Sequence, residues 1–79
     1  MDPEEIRARV ARRIRELAAR RALALNDLAT TAGVSRSHLY AVLAGQRAAT
    51  TDVLTKFADA LQDDPHELLR PPRKARRSE

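Results

Sequence analysis

Nineteen apolar side chains larger than alanine are all that this 79-residue chain offers for building a core. Fifteen further apolar residues are alanines, and a chain this short buries only about 60% of the surface it exposes when unfolded. Domains in this position draw on disulfides, a bound metal or a partner. There is no cysteine, which excludes a disulfide scaffold and a thiolate-ligated zinc site. His38 and His66 lie far apart in the sequence with no carboxylate cluster beside them, so neither metal nor cofactor is expected. Self-association is the remaining route to stability. One domain is expected over residues 1–70, with a basic tail over residues 71–79.

The spacing of the apolar residues predicts helix nearly throughout. Ile6, Val10, Ile14 and Leu17 recur at intervals of four, four and three, the period of one helix face. Pro3 suits a first helical turn, and Glu4 and Glu5 complement its dipole. This helix is expected to run to about residue 21. A short second helix is predicted over Leu25–Ala32, stopped by Gly33. Ser35 then caps a third helix reaching about residue 44, with Gly45 as its stop. Thr50 or Thr51 caps a fourth, whose apolar stripe is Val53, Leu54, Phe57, Ala58 and Leu61. Asp64-Pro65-His66-Glu67 has the form of a capping box with proline at the first position, and opens a last turn or two carrying Leu68 and Leu69. Pro71 and Pro72 end it, and the tail beyond is expected to be disordered in isolation. No alternating run marks a strand, so the fold class is all-α.

Charge is segregated along the chain. Residues 1–49 carry nine arginines against five acids, residues 50–69 carry Lys56 against five acids, and residues 70–79 carry five bases against Glu79. High-GC coding accounts for the excess of arginine over lysine, thirteen to two, but not for this separation of sign. A molecule so polarised is suited to docking on a polyanion with one face.

The segment LNDLATTAGVSRSHLYAVLAG is a short helix, a tight turn on a glycine and a second helix opened by serine, which is the helix-turn-helix layout. Gly33 permits the positive φ of the sharp turn, and Val34 can plug the angle between the helices. Leu39, Val42 and Leu43 point back to the core. Arg36, Ser37, Tyr40, Ala41 and Ala44 are left outward. Arginine forks onto guanine, serine bonds base or phosphate, and alanine meets a thymine methyl. Each has a plainer alternative. Arg36 is otherwise a solvated charge, Ser35 a cap alone, and Tyr40 a ring lying over a neighbouring helix. His38, at the margin of the face, is assigned to packing or solvent.

From about residue 14 to residue 69 the chain resembles the phage repressor and Cro-like (XRE) family of helix-turn-helix domains. The resemblance rests on Leu28-Ala29, Ala32-Gly33-Val34-Ser35-Arg36-Ser37, Leu39, Gly45, Leu54 with Ala58-Ala60-Leu61, and Glu67-Leu68-Leu69. It implies a five-helix, λ-repressor-like domain whose second and third helices read double-stranded DNA, usually as a homodimer. Base reading then falls to Arg36, Ser37, Tyr40 and Ala41, and backbone contact to Ser35, Ala44, Gln46 and Arg47. Gly33 makes the turn, and Leu68 and Leu69 serve the core or the dimer.

Three departures from the family pattern stand out. The arginine and glutamate that relatives bury together correspond to Ala18 and Leu43, a paired exchange of ion pair for apolar packing that can be neutral or stabilising. The polar cap and following glutamine at the second helix are Ala24 and Leu25, removing a cap worth about 0.5–2 kcal/mol and a phosphate donor. The Gly-Val after the fourth helix is Gln62-Asp63.

Several function classes are set against this. An enzyme is excluded by the lack of a nucleophile–base pair or a phosphate loop. A membrane-surface role for the arginine-rich first helix lacks an aromatic anchor, and no apolar run approaches a membrane span. The expectation is a cytoplasmic transcriptional regulator, a repressor on a palindromic operator. The alternative is an antitoxin or other module of the same fold that binds a regulatory or toxin protein, with DNA binding secondary. The basic tail either solubilises or reaches phosphate.

Overall fold

The computed structural model describes residues 2–69. Helix α1 spans Pro3–Arg20, α2 Leu25–Ala32, α3 Arg36–Leu43 and α4 Thr51–Leu61, and a 3-10 helix over Pro65–Leu69 closes the described chain. The class is all-α, with no strand among the described residues. The expected fifth helix is a correction: four α-helices form, and the last element is a five-residue 3-10 segment. The Glu67 N–H donates to the Asp64 carbonyl at 2.9 Å, the i to i+3 pattern of that helix type. Such a tight turn brings Leu68 into the core within a few residues. The tail expected over residues 71–79 lies outside the described residues.

α1 begins on a capping box formed by Asp2 and Glu5. The Glu5 N–H donates to Asp2 Oδ1 at 2.9 Å, and the Asp2 N–H donates to Glu5 Oε1 at 3.4 Å. Thr50 caps α4 by accepting from the Val53 N–H at 3.2 Å. All four α-helices end in the same way. A residue at the cap (α2 and α4) or just past it (α1 and α3) lies in the left-handed region, and the amide after it bonds back to a carbonyl five positions earlier, as in Leu23 to Ala18, Val34 to Ala29, Gln46 to Ala41 and Asp63 to Ala58. Glycine fills that left-handed position at Gly33 and Gly45, while Ala22 (φ 52°) and Gln62 (φ 59°) fill it after α1 and α4. The side chain of Arg21 steadies the last of these, donating to Gln62 Oε1 at 3.1 Å and to its carbonyl at 3.4 Å.

The core is one cluster. Ile14, Leu28, Leu39, Phe57, Leu61 and Leu68 are fully buried, each contributing about 1.5–3 kcal/mol relative to exposure. α1 packs on α3 and on the 3-10 helix, and α2 packs on α4. Ala18 and Leu43 both sit in this cluster, so apolar packing occupies both positions where an ion pair was expected in relatives. Ile6 breaks the α1 stripe and is 37% exposed.

One charge is buried among the described residues. Arg13 is 3% exposed and spends its guanidinium entirely on the protein. Its Nε donates to the Glu67 carbonyl at 2.8 Å, Nη1 to Glu16 Oε1 at 2.7 Å and Nη2 to Glu67 Oε1 at 3.3 Å. The 3-10 helix is thereby tied to α1 on one side by Leu68 and on the other by this guanidinium.

Candidate nucleic-acid interface

α2 and α3 meet at Gly33, whose φ of 73° turns the chain sharply. A side chain there would meet no atom within 4 Å, so the turn needs glycine for its backbone conformation and not for space. Val34 is half-buried and packs against the core, the plug expected between the helices. Ser35 caps α3, its Oγ accepting from the His38 N–H at 3.1 Å.

That cap fixes the phase of α3. Leu39, Val42 and Leu43 fall on the buried side. Arg36, Ser37, Tyr40 and Ala44 are exposed on the other, and Ala41 is half-buried at its edge. The outward face is thus basic and polar at its start and small at its end. Arg36 makes no hydrogen bond or ion pair among the described residues, so its guanidinium is available to a ligand. His38 is half-buried, with Nε2 buried and without a hydrogen-bond partner.

Tyr40 is 45% exposed, and its hydroxyl donates to Asn26 Oδ1 at 2.7 Å. Its side chain therefore reaches the neighbouring helix and ties the outward face of α3 to the first turn of α2. Asn26 is a residue the sequence reading missed. With Oδ1 held by Tyr40, its amide nitrogen keeps both donors. Next to it, Leu25 packs against the core, which accounts for an apolar residue at that position. Ala24 makes no side-chain capping bond, so the first-turn amides of α2 have no side-chain acceptor at the cap and meet the anion-favouring end of the helix. Asn26 stands 14 positions from Tyr40, and only the angle of the turn brings them together.

The loop after α3 carries the remaining candidates. Gly45, at φ 76°, closes the helix. The Gln46 N–H donates to the Ala41 carbonyl at 3.0 Å, so any donor that Gln46 offers a ligand comes from its exposed side chain. Arg47 is exposed and shares the lining of a cleft of about 280 Å³ with Ile6, Arg7 and Leu69. Leu68 is a core residue at 0% exposure, whereas Leu69 is 39% exposed on that cleft. No group of three or more metal-ligating side chains occurs among the described residues, and no described helix is long and apolar enough to cross a membrane.

Comparison with known proteins supports the geometric picture. A family model described as a helix-turn-helix domain matches residues 9–70. The crystal structure of the restriction-modification controller protein C.AhdI from Aeromonas hydrophila is 34% identical, with a TM-score of 0.74, over 78% of this chain and 94% of that one. A hypothetical transcription factor, NHTF, from Neisseria is 26% identical with a TM-score of 0.82 over 91% of this chain and 83% of its own. An HTH_3 family transcriptional regulator from Vibrio cholerae shares the fold at 24% identity and a TM-score of 0.79, over 85% of this chain and 38% of that one. No match is found among curated proteins.

Proposed function

This chain belongs to the helix-turn-helix domain family, and from that premise we propose that it is a sequence-specific DNA-binding transcription regulator acting as a repressor. The observation that carries the reading is the partition of α3, with Leu39 and Val42 fully in the core while Arg36, Ser37 and Tyr40 face out. Arg36, Ser37, Tyr40 and Ala41 read base edges in the major groove. Ser35, Ala44, Gln46 and Arg47 meet the backbone, which supplies affinity and salt dependence. A homodimer sets two such helices about 34–36 Å apart on a palindromic operator. The surface we assign to that dimer includes Leu69, with Ile6 beside it. C.AhdI, described as a restriction-modification controller protein, supports a regulatory role.

The test is binding to the DNA upstream of the chain's own gene against scrambled DNA of equal length, titrated from low to physiological salt. A preference of roughly 10³ or more at physiological salt is expected. Equal binding to both that vanishes with salt would sink the reading. A second reading, an antitoxin or similar module whose main ligand is a protein, is favoured by the apolar cleft at Ile6 and Leu69. Capture of a co-encoded protein by the chain, lost on Ile6→Asp, would favour it.

A further inference from the structure

Six of the seven arginines between residues 7 and 21 fall into two sets, and Arg20, at the end of α1, belongs to neither. Arg9 donates to the Leu69 carbonyl, Arg13 to Glu67 and Glu16, and Arg21 to Gln62; these are structural. Arg7, Arg12 and Arg15 make no hydrogen bond or ion pair among the described residues. All three line one cleft of about 500 Å³, formed between α1, from Glu4 to Arg15, and the end of α3. Arg7 even holds a buried Nε with no partner.

Apart from Leu43, the uncharged lining of this cleft is small. Ala8 and Ala11 lie on the α1 side and Ala44 and Gly45 on the α3 side, so a bulky charged chain can come close to the guanidinium groups. Glu4 is the one acid on the lining. Ala44 also belongs to the outward face of α3, and Arg7 also lines the neighbouring cleft with Arg47. Arg7 thereby joins the two clefts, with Arg47 on one side and Arg12 and Arg15 on the other. Arg7 and Arg15 are eight residues apart, about 12 Å at ~1.5 Å per residue.

We propose that the cleft bearing Arg7, Arg12 and Arg15 is a second phosphate-binding surface, which holds the DNA backbone flanking the base pairs read by α3. This rests on the DNA-binding reading and extends it, since it assigns to α1 a part of the footprint that carries affinity and no base information. The unpaired arginines keep their charge for the polyanion, and the alanine floor admits the sugar-phosphate chain. Sequence preference stays with α3.

The test compares the full-length parent with Arg7→Gln/Arg12→Gln/Arg15→Gln, and with Lys56→Gln as a control for net charge. Two operator duplexes are used, one trimmed to the footprint of α3 and one extended by about one helical turn on each side. The parent is expected to bind the extended duplex more tightly. The triple variant should lose that gain, lose roughly ten- to a hundredfold in affinity near 0.1 M salt, and show a salt slope shallower by about two to three. Its ratio of operator to scrambled DNA should match the parent. An unchanged slope and an unchanged gain from the flanks would overturn the inference, as would a fall per charge no larger than that of Lys56→Gln. In that event an acidic protein segment becomes the occupant to look for. Should the triple variant fail to melt cooperatively, Arg12→Gln and Arg15→Gln singly should each cost about one unit of slope. A parent without preference for its operator would defeat the DNA reading itself, and this shows in the parent before any variant is compared.

Discussion

Arg13 reaches across 54 positions of sequence to hold Glu67 twice, by its carbonyl at 2.8 Å and its carboxylate at 3.3 Å. The guanidinium is buried, and its partner carboxylates are partly open to water at 21% for Glu67 and 34% for Glu16. Arg13→Ala leaves a carbonyl and part of a carboxylate uncompensated. It should destabilise the domain by about 2–4 kcal/mol, somewhat under the usual figure for breaking a fully buried pair. Glu67→Gln keeps the carbonyl bond and should cost about 1 kcal/mol. Urea unfolding of both variants checks the order; equal losses would mean that the carboxylate, and not the guanidinium's backbone bond, dominates.

The ends of α1 and α4 offer gains in stability. A left-handed residue other than glycine costs roughly 1–2 kcal/mol. Ala22→Gly should therefore stabilise by about 1 kcal/mol after the added freedom of the unfolded chain is subtracted. Gln62→Gly should gain less, because it also gives up the 3.1 Å bond from Arg21. Thermal melting should rank Ala22→Gly above Gln62→Gly above the parent.

Base reading by α3 predicts a selective defect. Arg36→Ala should weaken operator binding by about 1–3 kcal/mol and relax preference at one base-pair position per half-site. Melting temperature should barely move, since Arg36 is exposed and unpaired. Titration against a set of single-position operator variants tests this, and a uniform loss across the set would reassign Arg36 to the backbone.

Tyr40→Phe separates the hydroxyl from the ring. The bond to Asn26 is solvent-exposed, so its loss should cost under about 1 kcal/mol of stability. Operator affinity should fall severalfold, because the Asn26 amide is no longer held in one orientation at the start of α2. Asn26→Ala should show the same loss, and the double variant no more than either alone. Additive losses would mean that the two side chains meet the DNA independently.

What could be read from the sequence was local. Gly33 and Ser35 define a turn and a cap from residues directly beside them, and the bounds of α2 and the phase of α3 follow. The buried guanidinium could not be read. Seven arginines lie between residues 7 and 21, and which of them faces inward depends on the distant 3-10 helix. Ile6 fits the α1 stripe by spacing, yet it lies in the open apolar cleft with Leu69. Asn26 joins the site only through Tyr40, and Gln62 takes a left-handed conformation with no glycine to announce it. The α1 cleft did leave a trace, since Arg7, Ala11 and Arg15 share one helix face at intervals of four.

The helices α2 and α3 have eight residues each, well below the roughly 12–15 at which an isolated helix becomes even marginally stable in water. Neither keeps its shape once the core opens, so the surface proposed to grip DNA and the packed native state vanish together. Under the proposed function, occupancy of the operator protects the whole chain: at a hundredfold excess of sites over Kd, the bound form gains about 2.7 kcal/mol against unfolding. Molecules off the DNA open about a hundred times more often and meet proteases in that state. Turnover would thus clear surplus regulator first, and the lifetime of the protein would track the number of sites it fills.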